Sequence, residues 1–221
     1  MVGIKHAPRP AAAETELRPR ARRKAQRPQQ ILHAAFEEFV ERGYTATRIE
    51  DVAARAGVTK GTIYLYFQNK EELFQDVVRK LSQPVFDEKQ FLEQHHHRSC
   101  EELVRIYLDT LYEHMTVNLY SREILRFLIA EGRNFPVIVS AHFDEFVKPL
   151  LTMFDHILQK GVHEGVFEIW AEDHLSQILI SPALTYAIDT LLGADTNLPE
   201  LKVYVNTHYE MVMRTIRKST I

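Results

Sequence analysis

Hydrogen-bond donors are concentrated in one short segment of the chain, which reads TKGTIYLY at positions 59–66. The ammonium group of Lys60 can donate to the O6 and N7 acceptors of guanine, and Gly61 has no side chain to keep the backbone away from a base edge. Thr62 is a weaker candidate for contact with bases. Hydroxyl groups also suit phosphate oxygens, which fix the register of a protein on a duplex without selecting bases. The residues of this segment predicted to contact phosphates are Thr59, Tyr64 and Tyr66.

The elements that would present these groups are a helix, a tight turn and a second helix. Thr47 and Glu50 have the spacing of a capping box, which predicts that the first helix begins there. Gly57 is predicted to end this helix, because glycine adopts a left-handed backbone conformation without steric cost. Thr59 is placed to cap the second helix. The apolar side chains that would anchor this second helix are Ile63 and Phe67.

Two more helices complete the N-terminal third of the chain. Apolar residues recur at three- and four-residue spacing from Pro28 to Gly43, which predicts a support helix. Asn69 is predicted to cap a fourth helix that ends before Pro84. Lys70 lies in the first turn of this helix, where a cation opposes the helix dipole but is well placed if a phosphate binds.

Three segments occur in a fixed order from about residue 27 onward: AAFEEFVERGY, GVTKGTIYLYF and NKEELF. In this arrangement the chain resembles the DNA-binding domain of TetR-type transcriptional regulators. The resemblance implies that the helix at 59–67 enters the major groove and that a homodimer binds a palindromic DNA operator. It also implies a larger helical domain that binds a small-molecule inducer and acts through the fourth helix. The DNA-binding residues predicted in this way are Arg48, Thr59, Lys60, Gly61, Thr62, Tyr64, Tyr66 and Lys70. For the two tyrosines, partial burial as core aromatics is the alternative.

Charge is distributed unevenly along the 221 residues, whose formal net charge is −3. Residues 1–83 carry 15 Lys or Arg against 10 Asp or Glu, whereas the remainder carries 12 against 20. A basic end next to an acidic body fits a protein that meets phosphate with one end only. Chance variation of charge along the chain is the alternative explanation.

The same uneven composition suggests a division of the chain. Residues 1–23 are rich in Ala, Pro and Arg and lack helical periodicity, so we expect a disordered basic arm. This arm either contacts phosphates or a minor groove, or is a solvated tail. We expect a DNA-binding domain at 24–84, with its helix-turn-helix at 48–67, and a helical domain for ligand binding and dimerisation at 85–221.

The pattern beyond Pro84 is that of an all-α protein, without the alternation typical of strands. Helices are predicted near 101–119, 121–132, 136–160, 170–192 and 198–218. Pro149 should bend the third of these helices. The last two are apolar around much of their circumference, so we expect them to pack against their own copies in a twofold four-helix interface. Burial within a thicker monomer is the alternative.

Several residues of these helices combine a polar tip with an apolar helical context. Such side chains can orient a ligand inside an apolar cavity. For each of them, an ordinary core position with a satisfied hydrogen bond is the alternative. The candidates for ligand binding are Tyr107, His114, Asn118, Arg126, Trp170 and Tyr186.

Other functional classes find little support in the sequence. The consecutive residues His95, His96 and His97 do not share a helical face, so we expect no metal site and no cofactor. Nucleotide-binding and hydrolase motifs are absent, although an all-helical enzyme or interaction module with an architectural helix-turn-helix is the alternative. The longest apolar runs fall short of the roughly 20 residues that span a bilayer. The single cysteine, Cys100, and the lack of a signal peptide favour the cytoplasm.

Overall fold

The chain folds into α-helices, as the computed structural model shows for residues 19–82, 84–169, 175–193 and 198–218, with side chains from residue 26 onward. The N-terminal helices are α1 (Pro19–Ala46), α2 (Ile49–Arg55), α3 (Lys60–Tyr64) and α4 (Lys70–Leu81). The later helices are α5 (Glu88–His95), α6 (Cys100–Thr116), α7 (Leu119–Glu131), α8 (Pro136–His142), α9 (Lys148–His163), α10 (Leu175–Leu191) and α11 (Leu201–Ile216). The expected all-α fold is confirmed. Among the helices described, none is both long enough and apolar enough to cross a membrane.

Helix α1 begins at Pro19 rather than at Pro28, where the sequence pattern placed its start. Residues 19–23, expected to belong to a disordered arm, are therefore helical, while residues 1–18 of that arm lie outside the described residues. Most residues between these two prolines are strong helix formers, which favours continuing the helix through Pro28. Gly43 changes the direction of the helix, because its φ of +74° is not helical.

The predicted capping box at the start of α2 is wrong. Arg48 occupies the cap position, and no side chain caps the helix there. Thr47 is instead buried, and its hydroxyl lies 3.0 Å from the carbonyl oxygen of Glu38 and 2.8 Å from that of Gly43. The bend at Gly43 leaves these carbonyls near Thr47, so its hydroxyl donates to α1 and fixes the turn between α1 and α2.

Two clusters of buried apolar side chains form the interior. The first holds α1–α4 together around residues such as Phe39 and Phe74, which pack edge to face at 5.1 Å. The later part of the chain contributes four residues to this cluster: Ile124, Phe127, Phe135 and Ile138. The second cluster joins α6, α9, α10 and α11. Helices α7 and α8 therefore pack directly against the N-terminal bundle, and the two parts of the chain share buried surface.

The helix predicted at 136–160 is divided in the structure. Helix α8 is followed by a π-helical turn, Phe143–Val147, and only then by α9. Pro149 lacks the N–H that would continue the regular ladder, so the predicted bend is taken up by this turn just before the proline.

The end of α9 depends on two glycines with different roles. Gly165 has a φ of +75° and reverses the chain after the helix. Gly161 lies inside α9 and packs against the ring of Phe167, so an added Cβ would overlap that ring. An antiparallel bridge then joins Phe167 to Arg217, which holds the segment after α9 against the end of α11.

Candidate nucleic-acid interface and inner cavity

The turn between α2 and α3 has the geometry that a helix-turn-helix requires. Gly57 has a φ of +63°, as the sequence predicted. Its N–H donates to the carbonyl of Ala54 at 3.2 Å, and the N–H of Val58 donates to Ala53 at 2.9 Å. These two hydrogen bonds form a Schellman motif, which satisfies carbonyl groups at the end of α2 and directs the chain into α3.

Helix α3 is short and is held by its cap and by two anchors. The hydroxyl of Thr59 accepts from the N–H of Thr62 at 3.2 Å, which confirms the predicted cap. Ile63 and Phe67 are buried in the first cluster, so the opposite side of the helix faces solvent.

The predicted DNA-binding residues of α3 mostly lie on this outward side. Lys60 and Gly61 are exposed, Tyr64 is 44% exposed, and Tyr66 is half-buried against the core. Leu65, which the sequence did not single out, is 80% exposed at the end of the helix. The signal for it was available, because anchors at 63 and 67 leave residue 65 on the outer side.

Lys60 is bound to a carboxylate in the free protein. Its Nζ donates to Oε1 of Glu50 in α2 at 2.5 Å and lies 5.7 Å from the centre of the Tyr64 ring. This hydrogen bond raises the pKa of Lys60 and lowers the pKa of Glu50. Since both side chains are at least half exposed, water and salt screen the pair, and DNA can compete for the ammonium group at small cost.

Lys70 turns toward the protein rather than toward solvent. Its Nζ donates to the backbone carbonyls of Thr45 at 3.1 Å and Thr47 at 2.8 Å, and it lies 4.4 Å from the centre of the Tyr44 ring. Burial lowers the pKa of Lys70. The side chain thus joins the start of α4 to the turn after α1. Arg48, by contrast, is exposed at the cap of α2.

A cluster of ion pairs fixes α2 against α1. The guanidinium of Arg55 contacts Glu38 at 2.7 Å, Glu41 at 2.6 Å and Glu37 at 3.1 Å. These hydrogen bonds raise the pKa of Arg55, so it remains charged. Three acidic side chains of α1 are thus paired with one cation of α2.

A cavity of about 140 Å³ lies among α4, α6, α7, α9 and α10 and the π-helical turn. Its walls are mainly apolar, with Leu111, Ile124 and Leu150 among the contributors. The polar side chains that line it are Ser82, His114, Ser121 and His142. Ser82 is the residue that ends α4, so the cavity lies against the helix that carries the N-terminal bundle.

The two histidines of the cavity are each paired with a serine. Nε2 of His114 lies 2.7 Å from the hydroxyl of Ser121, and Nδ1 of His142 lies 3.4 Å from the hydroxyl of Ser82. Because the Ser82 hydroxyl donates to the carbonyl of Val78 at 2.5 Å, it accepts the Nδ1 proton of His142. Burial lowers the pKa of both histidines, so both are neutral near pH 7.

Of the residues predicted to bind a ligand, the structure places His114 in this cavity. Tyr107 stacks between Phe86 at 4.8 Å and Phe154 at 4.5 Å, and its hydroxyl donates to a backbone carbonyl, that of Leu150. The hydroxyl of Tyr186 donates to the backbone of Pro199 at 3.1 Å.

The other three candidates lie elsewhere. Asn118 caps α7 by accepting from the N–H of Ser121. Arg126 donates to Glu123 at 2.6 Å and to the carbonyl of Val40 at 2.9 Å, so it joins α7 to α1. Trp170 lies outside the described residues. Sequence reasoning missed His142 and Ser82, because nothing in their local pattern shows that α8 returns to the end of α4.

A second, wider groove of about 320 Å³ lies between α4 and α8. Glu72, Asp76 and Arg79 line one side of it, and His142 and Glu145 line the other. His142 therefore borders both spaces.

The three consecutive histidines lie where α5 ends. His95 is the last residue of this helix, and His96 and His97 follow it in exposed positions. In the part of the chain that the structure covers, no three His, Cys, Asp or Glu side chains are grouped so that they could hold a metal ion.

Residues 31–77, which contain the helix-turn-helix, match the family model of bacterial regulatory proteins of the tetR family. Residues 31–77 thus form a DNA-binding domain of the TetR family. The chain is a DNA-binding transcriptional regulator and not an enzyme.

Similarity to known regulators extends well beyond the N-terminal bundle. The fatty acid metabolism regulator protein of Bacillus subtilis is 26% identical over 167 residues, which are 75% of this chain and 84% of that protein. The transcriptional repressor KstR2 of Mycolicibacterium smegmatis is 26% identical over 160 residues, 71% of this chain and 72% of that protein.

A solved structure shows that the similarity extends to the fold. NalD of Pseudomonas aeruginosa, the secondary repressor of a multidrug efflux pump, has a TM-score of 0.64 and 22% sequence identity. The superposition covers 89% of this chain and 99% of NalD. The overall fold is thus shared across nearly the whole of NalD.

Proposed function

We propose that this TetR-family chain represses transcription by binding a palindromic operator as a homodimer, and that a small molecule in the inner cavity releases it. The observation that carries this proposal is the position of the cavity, which is bordered by Ser82 at the end of α4. Helix α4 also packs into the core of the helix-turn-helix bundle, so one helix links the cavity to the bundle that carries α3.

In this proposal α3 lies in the major groove, with Lys60 donating to a guanine after it leaves Glu50. Thr62 and the backbone at Gly61 approach neighbouring bases. Exposed Leu65 is placed to contact a thymine methyl group or the sugar edge of the groove. The phosphate contacts are assigned to Arg48, Thr59, Tyr64 and Tyr66.

Lys70 has a more indirect part in operator binding. Two of its three N–H donors are directed at backbone carbonyls in the turn after α1, which leaves one for a phosphate. Its main effect is therefore expected through the position of α4 relative to α1.

The dimer is proposed to form through the outer faces of α10 and α11. Although both helices bury one side in the second cluster, Ile178 is still 63% exposed and Met211 59% exposed. Leu192 and Val203 add to this apolar surface. Two such helices from each protomer would form a four-helix interface around a twofold axis.

The coupling is proposed to pass through His142. This side chain lies on the cavity wall and donates to Ser82, so a ligand that displaces it also changes the contact at the end of α4. A tilt of α4 would carry α3 with it and change the separation of the two recognition helices from the 34–36 Å or so that successive major grooves require. The ligand can shift this equilibrium only as far as its affinities for the two states differ.

The functional division follows from these roles. We assign DNA binding to residues 24–84 and ligand binding and dimerisation to residues 85–221, with α7 and α8 forming the contact between them. The compartment is taken to be the cytoplasm, where the operator DNA is accessible.

The experiment that tests the proposal is selection of bound duplexes from a random DNA library at near-physiological salt, followed by sequencing. We expect a palindromic motif with half-sites one helical turn apart or a multiple of it. The matched control is Lys60→Ala, which should lose preference at one position of each half-site. A motif without twofold symmetry would contradict dimeric binding, and a protein that enriches no sequence would contradict operator binding by the free chain.

A further inference from the structure

The inner cavity has an unusual chemical property for a site that is partly polar: its lining contains no Asp, Glu, Lys or Arg among the described residues. Its polar groups are two serine hydroxyls and two imidazoles. An ionised ligand would lose part of its hydration on entering and would find no side chain of opposite charge to compensate for that loss.

The two imidazoles differ in what they offer to a ligand. Since the Nδ1 proton of His142 is donated to Ser82, the neutral ring keeps Nε2 as a hydrogen-bond acceptor, for which the described residues provide no donor. His114 already uses Nε2 in its contact with Ser121. Because His142 lines the cavity, we assign its Nε2 as the acceptor for a ligand group that donates one hydrogen bond.

The size of the cavity limits the ligand further. A volume of about 140 Å³ is close to the roughly 150 Å³ of an engineered protein cavity that holds benzene, and it is smaller than most drug-binding pockets. The apolar walls, including Leu111, Leu125 and Phe146, suit a hydrocarbon ring with short substituents.

We propose that the inner cavity binds an uncharged molecule about the size of one substituted ring, with a single hydroxyl group that donates to Nε2 of His142. Phenols and cyclic alcohols belong to this class, whereas carboxylates and ammonium compounds of the same size do not. The inference rests on the proposed function only in placing the effector in this cavity.

The test uses the full-length protein and a matched set of probes at pH 7.5: 4-propylphenol, propylbenzene, 4-propylbenzoate and 4-propylbenzylamine. Binding is measured directly by isothermal titration calorimetry. We expect 4-propylphenol to bind at least about tenfold more tightly than either charged probe, because only the charged probes leave an uncompensated charge in the cavity. Propylbenzene should fall between them, since it fits the walls but lacks the hydroxyl.

Two variants locate the site. His142→Phe removes the acceptor and keeps a ring, so it should reduce the affinity for 4-propylphenol to that for propylbenzene. Leu125→Trp fills the cavity and should abolish binding of both probes, whereas Leu92→Trp on exposed α5 is the control and should change neither. Circular dichroism verifies that each variant is folded.

The outcomes separate this proposal from the proposed function. Tighter binding of the benzoate or the benzylamine, or no binding of 4-propylphenol up to about 1 mM, would overturn the ligand class, even if the protein still selects a palindromic operator. Binding of 4-propylphenol that Leu125→Trp abolishes would support the ligand class. If operator affinity then stayed unchanged, only the proposed release mechanism would fail.

Discussion

Arg126 of α7 donates a hydrogen bond through Nη2 to the carbonyl oxygen of Val40 in α1, at 2.9 Å. The same guanidinium donates through Nε to Glu123 at 2.6 Å. One side chain thus joins the helix that borders the cavity to the support helix of the DNA-binding bundle. The acceptor lies close to the bend of α1 at Gly43.

We expect Arg126→Ala to lower the free energy of unfolding by about 1 kcal/mol, because it removes a charged donor from a partly exposed site and leaves Glu123 unpaired. Urea denaturation measures this change. Lys89→Ala, which removes a long and exposed ion pair of α5, is the control and should stay within about 0.5 kcal/mol of the parent. Equal effects of the two substitutions would show that the contact with α1 contributes nothing.

Alanine substitutions of Gly57 and Gly61 separate two roles of glycine: the left-handed backbone conformation at Gly57 and the close approach to DNA proposed for Gly61. Gly57→Ala places a side chain at a φ of +63° and should destabilise the protein by about 1–2 kcal/mol. Gly61 has helical geometry, and only the Thr59 hydroxyl lies within 4 Å of an added Cβ, at 3.8 Å, so Gly61→Ala should leave stability unchanged or raise it slightly. Gly61→Ala should nevertheless weaken operator binding. Retention of full operator affinity in this variant would remove Gly61 from the interface.

Substitutions of Lys60 and of Glu50 should change DNA affinity in opposite directions. Lys60→Ala is expected to cost roughly 1–3 kcal/mol at one base pair per half-site, while Glu50→Gln frees the ammonium group and should tighten binding. Fluorescence anisotropy with a panel of operator variants measures both effects. A Glu50→Gln variant that binds more weakly than the parent would show that the carboxylate positions Lys60 rather than competing with DNA.

Lys70→Ala should weaken binding to all operator sequences alike and, unlike Lys60→Ala, should also lower stability, because two backbone carbonyls lose their donor. The same anisotropy panel and a thermal melt distinguish the two lysines. Loss of base preference in Lys70→Ala would contradict this assignment.

The helix-turn-helix was largely predictable from the sequence, because its signals are local. The caps at Thr59 and Asn69 and the left-handed turn at Gly57 depend on residues a few positions apart. The capping box at Thr47 failed because its hydroxyl bonds to carbonyls of α1 that the bend at Gly43 leaves near it. The cavity was hidden because Ser82 and His142 are far apart in sequence and meet only after α8 packs on α4.

Acid should destabilise the protein through its buried histidines. The Nε2 proton of His208 is donated to the carbonyl of Leu179 at 2.6 Å, and Nδ1 accepts from the hydroxyl of Tyr112 at 2.9 Å, so the ring is held neutral. Burial lowers the pKa of His208 from its ordinary value of 6.5, and the pKa values of His114 and His142 shift in the same direction.

The unfolded chain therefore binds more protons than the folded chain below about pH 6.5, and stability falls as the pH drops through that value. Urea denaturation between pH 7.5 and pH 5.5 measures the slope. His208→Gln keeps a donor and an acceptor but does not titrate, so its slope should be smaller. An unchanged slope in this variant would mean that His208 does not contribute.

If α10 and α11 form the dimer interface, a carboxylate introduced on α10 should disrupt the dimer, whereas one introduced elsewhere should not. Ile178→Glu should produce monomers, because a carboxylate would be buried between two copies of α10. Val137→Glu is a matched control, since Val137 is also largely exposed to solvent, at 74%, but lies on α8. Analytical ultracentrifugation gives the mass of each variant. A parent protein that sediments as a monomer would exclude this interface.

The shared position of His142, between the inner cavity and the groove along α4, has an evolutionary consequence. A substitution at His142 would change two properties of a descendant protein at once: the compounds that it binds, and the extent to which their binding changes its operator affinity. Substitutions at purely apolar wall positions such as Leu111 would instead change only which compounds bind. We therefore expect lineages that acquire new effectors to vary first along the apolar walls and to keep an imidazole at this position until the whole response is rebuilt.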